Sequence, residues 1–186
     1  MYIDRILYPV TALGPGNRIA IWTVGCSRRC PGCANPELWE RYPQQKIAPQ
    51  RLAEYINKLS DRGIDGITIS GGEPFDQAEE IKELLDLLKV KPEVLVFSGY
   101  SIEELQGDVS KKELLEKIDV LIDGAYVEVL NDGVSALRGS TNQQIHYLRE
   151  DIKEKYAEYI KQGRQIQNFV YDYKTISVGI HNPTIG

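Results

Sequence analysis

The chain has 186 residues, of which 42% are hydrophobic and 26% charged, the profile of one soluble globular domain long enough to bury a core. Its net charge of −5 and pI near 5.2 set it against nucleic acid and anionic membrane, which repel an acidic surface, and no apolar run approaches bilayer length. The opening Met1-Tyr2-Ile3-Asp4-Arg5 lacks the basic start and apolar stretch of an export signal, and an odd number of cysteines suits a reducing compartment, so a cytoplasmic location is expected.

Gly14-Pro15-Gly16 marks a turn, and residues 18–24 read as an apolar strand running into a cysteine-rich loop. Residues 49–62 predict a helix, with Pro49 in its first turn, Leu52, Ile56 and Leu59 on one face, and Gly63 as its stop. Residues 66–70 form a short strand ending in Gly71-Gly72-Glu73-Pro74, followed by a helix at about 76–88 with Ile81, Leu84, Leu85 and Leu88 inward. A third strand at 93–98 closes on Gly99-Tyr100. Ser101 to Glu104 and Ser110 to Glu113 both have capping-box spacing and predict two short helices.

Residues 119–123 predict a fourth strand, ending at Gly124, and 131–142 read as a loop rich in Gly, Ser and Asn. The charged stretch 150–162 reads as a solvated surface helix. Residues 167–173 and 175–180 read as strands of a closing hairpin.

Strand and helix alternate, which argues for parallel βα units with right-handed crossovers. The chain is shorter than the ~250 residues of an eight-unit barrel. The expected fold is therefore α/β: an incomplete, open (β/α) barrel with mostly parallel strands. One domain spans 1–186, its core at about 14–148 and a carboxyl-terminal helix and hairpin at 149–186. Ligands of such sheets sit beyond the carboxyl ends of the strands. The cysteine loop, the Gly-Gly-Glu-Pro turn, Ser98-Gly99-Tyr100 and Asp123-Gly124 all fall there, which predicts one shared site.

All three cysteines lie in Cys26-Ser-Arg-Arg-Cys30-Pro-Gly-Cys33. Thiolates select zinc, copper(I) or iron–sulfur clusters. A structural zinc site wants four protein ligands, so His146 or His181 would have to serve, and both are distant in sequence. A ferredoxin-type cluster needs four cysteines. Three point instead to a [4Fe–4S] cluster with one iron left without a protein ligand. Arg28 and Arg29 beside them favour thiolates and a negatively charged cluster. Gly71-Gly72 permits close backbone approach, Glu73 offers a carboxylate to an ammonium group, and Pro74 fixes the exit. Alone, that turn is unspecific. It is not a P-loop, since no Gly-Lys-Ser/Thr follows.

Together, the C-x3-C-x2-C loop after one strand and the Gly-Gly-Glu-Pro turn after the next resemble the radical S-adenosylmethionine (SAM) superfamily. Within it, the chain resembles most the activating proteins of anaerobic (class III) ribonucleoside-triphosphate reductases. Gly14-Pro15-Gly16-Asn17-Arg18, Cys30-Pro31-Gly32-Cys33-Ala34-Asn35-Pro36 with Trp39, Ser98-Gly99-Tyr100, Val120-Leu121-Ile122-Asp123-Gly124 and Arg138-Gly139-Ser140-Thr141-Asn142-Gln143 carry that likeness. The superfamily commonly has an aromatic residue before the third cysteine. Gly32 stands there, as it often does in this branch.

The resemblance implies that Cys26, Cys30 and Cys33 hold three irons and that SAM chelates the fourth. It places Gly32, Ala34, Gly71, Gly72, Glu73, Pro74 and Ser98 around SAM. Reductive cleavage of SAM would give a radical that takes a hydrogen atom from a glycine of the reductase. No general acid or base is required, which leaves His146 and His181 incidental. Tyr126, Arg138 and Asn142 are expected at the mouth that admits the partner, and a flavodoxin or ferredoxin is the expected electron donor. Two alternatives stand beside this one. One is a small-molecule radical SAM enzyme resembling 7-carboxy-7-deazaguanine synthase, and the other is a non-enzymatic iron–sulfur or zinc module.

Overall fold

The apolar run at 18–24 becomes the second strand of a six-stranded sheet in the computed structural model, which describes residues 1–181. The sheet order is β1 (Ile3–Val10), β2 (Arg18–Thr23), β3 (Gly66–Gly71), β4 (Glu93–Phe97), β5 (Val120–Asp123) and β6 (Gln144–Tyr147). β2 to β5 run parallel, while β1 and β6 pair antiparallel at the two ends of that order. The central strands are covered on both faces and so read as continuous apolar runs.

Alternate residues of each strand face opposite sides. Ile19, Ile21, Ile67, Ile69, Val94, Val96 and Leu121 pack against α1 (Pro49–Ser60), α2 (Ala78–Asp86), α3 (Ile102–Gln106) and α4 (Val109–Leu115), which contribute Leu52, Ile56, Ile81, Leu84, Leu105 and Leu114. Each such aliphatic side chain, fully buried, stabilises the fold by ~1.5–3 kcal/mol. On the other face, Ala20 and Trp22 pack with Leu7, Val10, Leu38 and Val178. Leu95, Val120 and Ile122 pack with Leu137 and with Tyr156 and Tyr159 of α5 (Lys153–Ile160).

At the amino ends of the strands lies a fully buried arginine. Arg18 Nε donates to Thr68 Oγ1 at 2.6 Å, and its guanidinium nitrogens donate to Glu93 Oε1 and Ile67 O, each at 2.8 Å. Tyr156 and Lys155 also reach the Glu93 carboxylate, at 2.7 and 3.1 Å. Burial works against the charge of Glu93, but the Tyr156 hydroxyl, Arg18 and Lys155 together hold it below the usual carboxylate range.

Several elements differ from the sequence reading. β1 was not expected: register shifts between Ile3 and Arg5 and between Leu7 and Val10 break the period-two pattern. β6 is four residues long and only half-buried. The helix expected from 76 begins as a 3₁₀ turn, Pro74–Gln77. The second short helix is capped by Asp108, whose Oδ1 accepts from Lys111 N at 3.0 Å, and not by Ser110, which donates to Glu79 Oε1 at 2.9 Å. The first does carry its capping box, Ser101 with Glu104. α5 is no freely solvated helix, since Tyr156 and Tyr159 are buried on the sheet. The predicted hairpin forms as β7 (Ile166–Tyr171) and β8 (Lys174–Gly179). The end of the expected 1–186 span, 182–186, lies outside the described residues.

Candidate active site

Loops leaving the carboxyl ends of β2, β3, β4 and β5 line one cavity of about 580 Å³, within the ~300–1,000 Å³ usual for small-molecule sites. The loop after β2 leaves and returns side by side: Gly25 N donates to Leu38 O at 2.8 Å and Cys26 N to Trp39 O at 3.1 Å. Between these ties Cys26, Cys30 and Cys33 are unbridged and half-buried, and all three line the cavity. Cys33 Sγ accepts the Asn35 N–H at 3.4 Å. Burial pushes the Cys26 thiol up, against the Arg29 and Arg28 N–H groups that favour the thiolate. The two basic side chains are each engaged by a carboxylate. Arg28 meets Glu104 at 3.1 Å, and Arg29 meets Glu40 at 2.5 Å.

The outer side of this loop is held by a small polar network. Ser27 Oγ donates to Asp76 Oδ1 at 2.9 Å, and Tyr100 Oη does the same at 2.9 Å. Ser27 N donates to Asp76 Oδ2 at 2.7 Å. The Tyr100 ring carries the Arg28 guanidinium and the Lys111 ammonium, each 4.8 Å from its centroid, contacts that add ~0.5–1 kcal/mol each at exposed sites.

The turn after β3 is stitched to the same loop: Gly72 N donates to Thr23 O and Glu73 N to Gly25 O, both at 2.8 Å. Gly71 has φ +110°, and a Cβ there would lie 2.4 Å from the Thr23 backbone. A Cβ on Gly72 would lie 2.3 Å from Gly25 O. Both positions therefore demand glycine. Glu73 is buried, and its carboxylate accepts from Phe75 N at 3.0 Å, Ser98 Oγ at 2.9 Å and Gly99 N at 2.7 Å. Loss of water outweighs these bonds and pushes its pKa up to about 7.

Gly32, Ala34, Gly71, Gly72, Glu73, Ser98 and Tyr126 all line the cavity. Pro74 does not: it opens the 3₁₀ turn. Arg138 and Asn142 do not line it either. Arg138 donates to Gln143 O at 3.4 Å, and Asn142 Nδ2 donates to Ala125 O at 2.8 Å, so both shape the loop whose Gly139 and Gln143 reach the cavity. His146 Nε2 stands 3.1 Å from Asp123 Oδ2. His181, read as incidental, is in the cavity wall with Ser177, Val178, Gly179 and Ile180. Arg5, Trp22 and Trp39 also line it and were not predicted there, although Trp39 stands out in the sequence next to the cysteines.

The donor set fits a cluster with an attached small molecule. Among the described residues, no three His, Cys, Asp or Glu side chains converge as a site for a single metal ion. Three thiols spread along one cavity wall suit separate corners of a cluster. The Trp39 Nε1 and Arg5 Nε donors are buried without a protein partner, on residues that line the cavity. Buried donors of this kind call for an acceptor.

Residues 12–146 match a family profile described as a 4Fe-4S single cluster domain. Several curated relatives are similar over most of their length, and each is named anaerobic ribonucleoside-triphosphate reductase-activating protein. That of Escherichia coli K12 is 34% identical over 151 residues, covering 76% of this chain and 96% of the relative. That of Enterobacteria phage T4 is also 34% identical over 151 residues, covering 78% and 93%. That of Vibrio cholerae is 33% identical over 147 residues, covering 75% and 94%.

Proposed function

Because the chain belongs to the anaerobic ribonucleoside-triphosphate reductase-activating proteins, we propose that Cys26, Cys30 and Cys33 hold its [4Fe–4S] cluster and that Gly71, Gly72 and Glu73 border SAM. The protein is a radical SAM enzyme that places a glycyl radical on that reductase. One observation carries the assignment of residues: the three thiols and the Gly71-Gly72-Glu73 turn lie on adjacent loops and line one cavity.

A cluster held by Cys26, Cys30 and Cys33, with SAM against Gly71 to Glu73, would supply the one-electron reduction of SAM and the hydrogen-atom abstraction that activates the reductase glycine. The chain's own residues do the rest. Gly71 and Gly72 let the turn pack its main chain directly against Thr23 and Gly25 at the root of the cysteine loop, where any side chain would collide. Glu73 ties the turn after β3 to Ser98 and Gly99 after β4, fixing two walls at once, and its remaining acceptor capacity would serve the ammonium group of SAM. Trp39 and Arg5 offer unpaired donors to the acceptor atoms of the bound groups. Trp22 and Phe97 exclude water from that side.

The sheet is read as the incomplete, open barrel of this superfamily, and 1–186 as a single domain. Support comes from the four parallel strands with antiparallel neighbours and from Val178, which packs with Trp22 and Leu38 on the sheet. A flavodoxin- or ferredoxin-type donor in the cytoplasm completes the reading. Among the described residues no helix is long and apolar enough to cross a membrane. Anaerobic reconstitution with iron and sulfide tests the site. The protein should take up about four irons per chain and, with reductant, convert SAM to 5′-deoxyadenosine. Uptake of a single zinc with no cleavage would contradict the proposal.

A further inference from the structure

The loop between β5 and β6 exposes four aliphatic side chains: Val127 (37%), Val129 (90%), Leu130 (41%) and Val134 (69%). Single exposed aliphatics are ordinary, but a cluster of them marks a contact surface. The backbone that presents them is tied down. Val127 N donates to Ser140 Oγ at 3.1 Å, Thr141 N to Leu130 O at 2.9 Å, and Asn131 Nδ2 to Tyr126 Oη at 3.2 Å.

Arg164, whose side chain is 7% exposed, latches this loop to the end of the chain's second sheet. Its guanidinium donates to Asn131 Oδ1 at 2.9 Å, Arg138 O at 3.0 Å, Ser135 O at 3.3 Å and His181 O at 3.3 Å. The segment it fixes, 177–181, lines the cavity, as does Tyr126 next to Val127. The aliphatic patch is thus continuous along the chain with one wall of the cavity and latched to another.

We propose that this collar is the docking surface for the polypeptide whose glycine is activated. The inference rests on the activating-protein reading above. A hydrogen atom removed from a backbone α-carbon requires a main-chain segment of the partner to enter the cavity. The partner's folded surface must then rest on the rim. An apolar rim whose Asp132 already faces Arg164 at 3.6 Å accepts such a surface without leaving that charge unpaired. Arg164 is a positioning residue that holds the two sides of the rim at a fixed separation.

The test uses reconstituted holoenzyme, an anaerobic ribonucleoside-triphosphate reductase, and the double variant V129D/V134D, with V109D as control. Val109 is 77% exposed at the start of α4. Reductant-driven SAM cleavage without the reductase should be unchanged in both variants, showing an intact site. The reductase concentration giving half-maximal glycyl radical should rise at least about tenfold for V129D/V134D and stay at the wild-type value for V109D. A double variant that matches the wild type overturns the collar. So does loss of self-association with unchanged radical yield, which would assign the patch to a second copy of this chain. Wild-type protein that cleaves no SAM at all would instead overturn the reading beneath it.

Discussion

Glu73 sits between opposing demands. Three donors favour its charged form, while complete burial disfavours it, and burial wins, with a pKa of about 7 against an ordinary 4.5. Between those values the folded protein keeps a proton that the unfolded chain has lost. The stabilisation is therefore full below about pH 4.5 and lost as pH rises through about 7, amounting to roughly 3 kcal/mol. Urea unfolding of the cluster-free protein and of Glu73→Gln from pH 4.5 to 8 reads this directly. The stability difference, wild type minus variant, should shrink as pH rises; a difference that is flat with pH contradicts it. The cysteines make a simpler case. Cys26→Ser, Cys30→Ser and Cys33→Ser should each fall well short of about four irons after reconstitution and lose SAM cleavage. A variant that keeps the cluster's iron and visible absorption would remove that cysteine from the ligand set.

Among the elements, β3 shows how tightly the site is tied to the sheet. Its last residue, Gly71, has its missing Cβ 2.4 Å from the backbone of β2. Gly71→Ala must therefore push the two strands apart or unwind their ends. A loss above ~4 kcal/mol is expected, the range reserved for backbone and core disruption, together with loss of SAM cleavage. Calorimetry showing a near-wild-type Tm would contradict it. The other ends of the strands predict a separation of effects. Arg18→Leu strips the buried Glu93 of its chief partner and should cost ~3–5 kcal/mol, offset in part by Lys155 and Tyr156. The protein that remains folded should still take up its cluster, because Arg18 is at the far end of β2 from the cysteines. Cluster loss without destabilisation would contradict this structural role.

The same elements show what a sequence can reveal. The parallel strands were legible because burial on both faces demands apolar runs, as in Ile-Ala-Ile of β2 and Val-Leu-Val of β4. The β1 strand was hidden by its bulges, and with it Arg5. α5 was misread because its charges outnumber the two tyrosines that anchor it. Asp108 displaced Ser110 as a cap because both have an N–H three residues on or nearby, and spacing alone cannot choose between them.

At the scale of the whole molecule, the cavity gathers residues from Arg5 to His181. The cysteine loop and the glycine turn were readable because each is a compact string with its own chemistry. The wall at 177–181 was not, since nothing local distinguishes Ser-Val-Gly-Ile-His from any edge strand, and it is held across the sheet by the packing of Val178 with Trp22 and Leu38 and by the Arg164 bond to His181 O. Arg164 was equally silent, because its meaning lies in carbonyls of Ser135, Arg138 and His181 that the sequence does not place together. The family match ends at residue 146, and β7 and β8 lie beyond it.

The chemistry of the cavity ends on the reductase. The most direct measurement is electron paramagnetic resonance of an anaerobic ribonucleoside-triphosphate reductase mixed with the reconstituted protein, SAM and reductant. A doublet glycyl-radical signal that requires SAM and all three cysteines is expected. SAM cleavage that proceeds with an authentic reductase present, yet leaves no such signal, would contradict it.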